Sequence, residues 1–172
     1  VALLAGVTRH EIATIIARVT PTTGAHTLVA TMRAHGSLTA LVSGGFAPFT
    51  DAVAQQLGFD ETRANQLVFE KDVLTGAVAT PVLGRAAKRA ALEELRLLRN
   101  LSRAATLAIG DGANDLDMIK EAGLCVAFHA KPAVAEAPKP TAATAKTLAK
   151  EKPKDVKVEN ADKDAPEATP DA

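Results

Sequence analysis

The sequence of 172 residues contains no tryptophan, no tyrosine and a single cysteine, Cys125. One cysteine excludes a disulfide framework within the chain. Its place in the apolar stretch Leu124 to Phe128 predicts a core thiol in a reducing compartment, and hence a cytoplasmic protein. An excess of one charge is also lacking, because Lys plus Arg and Asp plus Glu each total 20. Net charge therefore draws the chain to no nucleic acid, anionic membrane or acidic partner. Long apolar runs are missing too: Val1 to Ala5 and Ala104 to Ile109 fall far short of the roughly 20 residues of a spanning helix. His10, His26, His35 and His129 include no pair at helical metal-ligand spacing, so nothing supports a zinc site. The chain opens on Val1, with neither an initiator methionine nor a basic segment followed by an apolar one, which predicts a start inside a longer protein. What remains is 47% apolar, enough for one sizeable core.

Thr8-Arg9-His10-Glu11 has the spacing of a capping box, and Ile12, Ile15, Ile16 and Val19 follow at helical spacing, predicting a helix over about 8–18. Pro21 and Gly24 interrupt it. Leu28, Val29 and Met32 then form a second helical face that stops at Gly36. Leu38 to Val42 reads as a strand closed by the turn Ser43-Gly44-Gly45, with Phe49, Val53 and Leu57 on the helix that follows. Leu67 to Phe69 and Ala77 to Ala79, with Gly76 between, read as a hairpin or two short edge strands. Arg85 to Asn100 consists of good helix formers. Ala104 to Ile109 is a buried-strand type of run that ends on Gly110-Asp111-Gly112, a helix carries Leu116, Ile119 and Ala122, and Leu124 to Phe128 is a last strand. Strands alternating with helices predict an α/β fold with a doubly wound parallel sheet, whose site lies at the carboxyl ends of the strands.

Three places at such strand ends carry chemistry. Asp111 and Asp115 flank polar or flexible positions after a strand, where two hard carboxylates suit magnesium, although acids there also serve as plain helix caps. Ser43 and the amides after it suit a phosphate oxygen near a helix start, although an ordinary serine-capped turn has the same composition. Lys88 lies among Arg85, Arg89 and Arg96; it gains a role only if the fold brings it to the strand ends, where its charge would offset that of a phosphoryl group.

The order and spacing of these places resemble the phosphoserine-phosphatase-like hydrolases of the haloacid dehalogenase superfamily. Leu41-Val42-Ser43-Gly44-Gly45-Phe46 is similar to that family's second motif, Leu74-Thr75-Gly76 to its following strand turn, and Lys88 to its motif-three lysine. Gly110-Asp111-Gly112-Ala113-Asn114-Asp115-Leu116-Asp117 is similar to its fourth motif, and Ala127 with His129-Ala130-Lys131-Pro132 to the segment after it. The resemblance spans about 1–136. It implies magnesium-dependent hydrolysis of O-phosphoserine through an aspartyl-phosphate, the last step of serine biosynthesis. Asp111 is then a magnesium ligand and Asp115 the supporting acid of the metal site. Asn114 contacts substrate or phosphate, Ser43 and the Gly44 amide hold phosphoryl oxygens, and Lys88 offsets charge on the intermediate. The implied partner is a small phosphate ester, with no nucleic acid and no membrane; oligomeric state is not legible. The implied domains are the end of a small helical cap over 1–21, a hydrolase core over 22–136 and a polar tail over 137–172.

Two departures qualify this. The family's first motif, Asp-x-Asp-x-Thr, occurs nowhere in the chain. With the missing methionine, this predicts an N-terminally incomplete sequence, inactive and unstable alone, because that motif's strand lies between the Ser43 and Asp111 strands. After Lys131-Pro132, where the family continues with another strand and helix, the chain becomes rich in Ala, Pro, Lys, Thr, Asp and Glu, which predicts a solvated tail. The alternatives are a sister hydrolase acting on another small phosphate ester, and a non-catalytic binding module contacting its partner through the tail.

Overall fold

The computed structural model describes residues 1–129, so the proposed tail and the Ala130-Lys131-Pro132 segment lie outside the described residues. A single 3-10 turn at Ala2–Leu4 leads to α1 (Arg9–Ile16). Thr8 caps α1 as its spacing foretells: its hydroxyl accepts from the Glu11 amide at 3.2 Å, and the Thr8 amide donates to the Glu11 carboxylate at 2.8 Å. Next come α2 (Ala25–Ala34), β1 (Ala40–Phe46), α3 (Ala47–Leu57) and β2 (Glu61–Asn65). The hairpin strands β3 (Leu67–Glu70) and β4 (Val73–Val78) precede α4 (Arg85–Leu98). The chain continues through β5 (Leu107–Gly110), the 3-10 turn Ala113–Asp115, α5 (Leu116–Glu121) and β6 (Leu124–Ala127).

The hairpin alternative is the one realised, with Lys71 and Asp72 both at positive φ (48° and 66°) in the two-residue turn. Leu74-Thr75-Gly76, read from sequence as a strand turn, lies inside β4. Gly76 is needed there because a Cβ on it would stand 3.1 Å from Ala5 Cβ and 3.2 Å from the Ala2 carbonyl. Residues before α1 thus dock on the hairpin, where Gly6 and Val7 exchange backbone hydrogen bonds with Leu74 and the Arg9 guanidinium sits 3.6 Å over the Phe69 ring.

Strand β1 pairs in parallel with β2, and β5 in parallel with β6. Each pair is a strand-helix-strand unit; the alternating pattern predicts the second, β5-α5-β6, and only the strand and helix that begin the first. Among the described residues, no strand hydrogen bonds join β1 to β5, and each has one pairing edge that no described strand uses. Two readings need correction. β2 is absent from the expected elements, because Glu61-Thr62-Arg63-Ala64-Asn65 has almost no apolar content and is extended only through its pairing with β1. The Ser43-Gly44-Gly45 segment is no turn beyond the strand but its bulged end, the register shifting between Val42 and Phe46 and α3 starting directly at Ala47. Cys125 is half-buried against the small core of Ala108, Ile119 and Ala122 beneath α5.

At the other end of β1, Asp60 accepts from the Thr39 amide (2.8 Å), the Thr39 hydroxyl (2.7 Å) and Arg33 Nε (2.9 Å). These bonds, the Thr39 amide first, hold its carboxyl below the usual range. A depressed carboxylate stabilises the fold fully above its unfolded pKa of about 4, and the contribution disappears as pH falls through the lower folded value. In the protein that carries this chain, Asp60→Asn will therefore unfold at lower urea than the parent at pH 7, with the gap closing as pH falls below the ordinary carboxylate range. A gap of constant size across that range would contradict this assignment.

Candidate active site

The carboxyl ends of β1 and β5 and the amino end of α4 supply the residues singled out by the sequence. Among them, Lys88 and Asp115 come into direct contact: Lys88 Nζ donates to Asp115 Oδ1 at 2.6 Å, with the side chains 9% and 5% exposed. Residues 27 apart in the chain are thus closed into a buried ion pair, so Lys88 belongs to no solvated face. The other oxygen of Asp115 accepts from the amides of Asp111 (3.2 Å) and Gly112 (3.1 Å). Burial pushes the Asp115 carboxyl up, but the Lys88 hydrogen bond, the two amides and the lysine charge together hold it below the usual carboxylate range.

This folds the Gly110–Asp117 loop around one carboxylate. A Cβ on Gly110 would stand 2.6 Å from Asp115 Cβ, so that position requires the absence of a side chain, whereas one on Gly112 would meet only the movable Oδ1 of Asn114, at 2.5 Å. Asn114 and Asp111 are exposed on the loop. Loop and helix are tied a second time, by Arg85 at the first turn of α4. Its Nε and Nη2 donate to Asp117 Oδ2 at 2.6 Å and Oδ1 at 2.5 Å, a bidentate pair. Arg96 pairs with Glu121 at 3.1 Å lower on the same two helices. Sequence reading passed over Arg85 as a surface cation, although its three-residue offset from Lys88 places both on one face of α4.

At the end of β1 the Ser43 hydroxyl accepts from the Gly45 amide at 3.0 Å, and Gly44 is exposed. The buried Asn65 connects this segment to the start of α4, a contact with no signal in the sequence. Its Nδ2 donates to the Gly44 carbonyl (2.9 Å) and the Leu83 carbonyl (3.3 Å), while its Oδ1 accepts from the Leu83 amide (2.6 Å).

Asp111 presents an exposed carboxylate at a strand end, chemically suited to an ion that keeps several waters. Both oxygens of Asp115 are engaged in shaping the loop. Among the described residues, no group of three or more His, Cys, Asp or Glu converges on one point. The chain thus fits such an ion as the donor of one free carboxylate and of the loop that aims it. No described helix is long and apolar enough to cross a membrane.

Residues 1–120 match the model of the haloacid dehalogenase-like hydrolases. The chain is 49% identical over 141 residues to a phosphoserine phosphatase of Albidiferax ferrireducens, covering 79% of this chain and 60% of that protein. It is 45% identical over 137 residues to a phosphoserine phosphatase of Streptomyces coelicolor, covering 80% and 33% respectively. Similar solved structures include an apo phosphoserine phosphatase, with TM-score 0.74, 38% identity and coverage of 78% of this chain and 68% of that one. A substrate-bound phosphoserine phosphatase complex gives TM-score 0.76 at 37% identity, covering 81% and 66%. The chain spans between a third and three fifths of the length of these two curated relatives.

Proposed function

Because the chain belongs to the haloacid dehalogenase-like hydrolases, we propose that it is the phosphate-binding and metal-loop part of a phosphoserine phosphatase of the cytoplasm. The observation that carries the reading is the buried Lys88–Asp115 pair, which sets a lysine at the mouth of the Gly110–Asp117 loop. Sequence identity of 45% and 49% to two phosphoserine phosphatases supports phosphoserine over other esters.

In this reading one aspartate of an Asp-x-Asp-x-Thr motif attacks phosphorus. The serine alkoxide leaves with a proton from the second aspartate, and water then cleaves the aspartyl-phosphate to release phosphate. Neither aspartate is among these 172 residues. We assign their strand to the unused edges of β1 and β5, with 1–21 as the end of a helical cap. Magnesium, held by Asp111 and by carboxylates beyond this chain, would supply positive charge to the phosphoryl oxygens. The chain's own residues do the rest. Ser43 and the Gly44 amide hold phosphoryl oxygens, and Asn114 contacts the substrate from the loop. Lys88 neutralises charge that grows as the phosphoryl group transfers, and Asp115 keeps both the lysine and the loop in place.

Phosphate release from O-phosphoserine, phosphoethanolamine and phosphohomoserine by the protein that carries this chain tests the substrate. A kcat/KM at least ~10-fold higher for phosphoserine is expected. A higher value for either rival moves the protein to a sister activity.

A further inference from the structure

We propose that Asn65 is a positioning residue that holds the Ser43–Gly44 segment and the start of α4 in one register; its catalytic part rests on the hydrolase reading above. Asn65 is 5% exposed, and its side-chain amide uses both donor and acceptor. All three bonds go to backbone, and they reach two different segments: Gly44 at the bulged end of β1, and Leu83 directly before Gly84, the residue preceding the first turn of α4. The Lys88 amide in turn donates to the Gly84 carbonyl at 3.3 Å, and Lys88 Nζ reaches Asp115. Hydrogen bonds joined by the Leu83–Gly84 peptide bond and the Lys88 side chain therefore connect Gly44 through Asn65 to the Gly110–Asp117 loop.

The chemistry explains why an amide stands here. The site must supply a donor to two carbonyls and an acceptor to one amide within a single buried side chain, and among short side chains only Asn carries both on one rigid plane. Aspartate keeps the acceptor for the Leu83 amide, loses both donated bonds, and sets a carboxylate against two carbonyl oxygens. The bulge in β1 has the same origin. Beyond Val42 the ladder resumes only at Phe46 opposite Asn65, and the Gly44 carbonyl is taken by the Asn65 side chain.

The test compares Asn65→Asp and Asn65→Ala with Thr39→Val, a buried position at the other end of β1, in the protein that carries this chain. Hydrogen exchange is expected to rise ~10-fold or more in peptides spanning 43–45 and 83–88, with 107–110 unchanged, in both Asn65 variants and not in Thr39→Val. In phosphate release, kcat should fall ~100-fold with a smaller change in KM, whereas Thr39→Val lowers only the unfolding midpoint. Unchanged exchange in the two segments overturns the proposal whatever the activity does. Raised exchange with an unchanged kcat overturns its catalytic part. Raised exchange in a protein whose parent hydrolyses no phosphate ester leaves the clamp standing and overturns the hydrolase reading instead.

Discussion

Lys88→Met is expected to lower phosphate release by ~100-fold to ~1,000-fold, the loss typical of removing one preorganised charge from a developing oxyanion. The same change strands a carboxylate that is 5% exposed, so it should also cost about 3–5 kcal/mol of stability. The two effects separate in the double variant Lys88→Met/Asp115→Asn, which removes both charges. There, stability should return by most of that amount, because removing both partners of a buried pair is far cheaper than removing one. Activity should not return. If the double variant regains the parent rate, Lys88 acts only through the fold, and its assignment to phosphoryl transfer fails. Lys88→Arg offers no simple rescue, since a planar guanidinium cannot take the place of a point ammonium in a slot closed at 2.6 Å.

The second large effect concerns the 172 residues assayed alone with magnesium: phosphate release from O-phosphoserine at the background rate. Enzymes typically accelerate their reactions by at least ~10⁶, and in the proposed mechanism that gain depends on a covalent step for which no Asp-x-Asp-x-Thr is present in these residues. Weak cooperativity in urea is expected alongside, because among the described residues β1 and β5 each leave one edge of backbone donors and acceptors without a strand partner. Release well above background would refute the assignment of the nucleophile to a strand outside these residues.

Local chemistry was legible in the sequence, and contacts across the chain were not. Thr8 and Glu11 lie three residues apart, so their mutual capping can be read directly. The strand that ends on Gly110 is legible in the same way, but that a Cβ there would collide with Asp115 is not. Lys88 could be placed on a helix but not paired, because nothing local fixes a partner 27 residues away; the family pattern alone pointed to it. β2 escaped because its extended form is imposed by β1 and not by its own side chains. Asn65 escaped with it: a lone amide in a polar stretch carries no sign that it is 5% exposed.

The engagement of Asp115 by Lys88 and two loop amides bears on how the loop meets a ligand. Its shape is set by a cation that belongs to the protein itself, so the ordering entropy of the Gly110–Asp117 segment is spent during folding and not at the moment of binding. In the function proposed above, an arriving ion would meet a loop already shaped, with Asp111 as the one free carboxylate it offers. Its affinity would then report the charge and hydration of that carboxylate, with little cost of loop rearrangement.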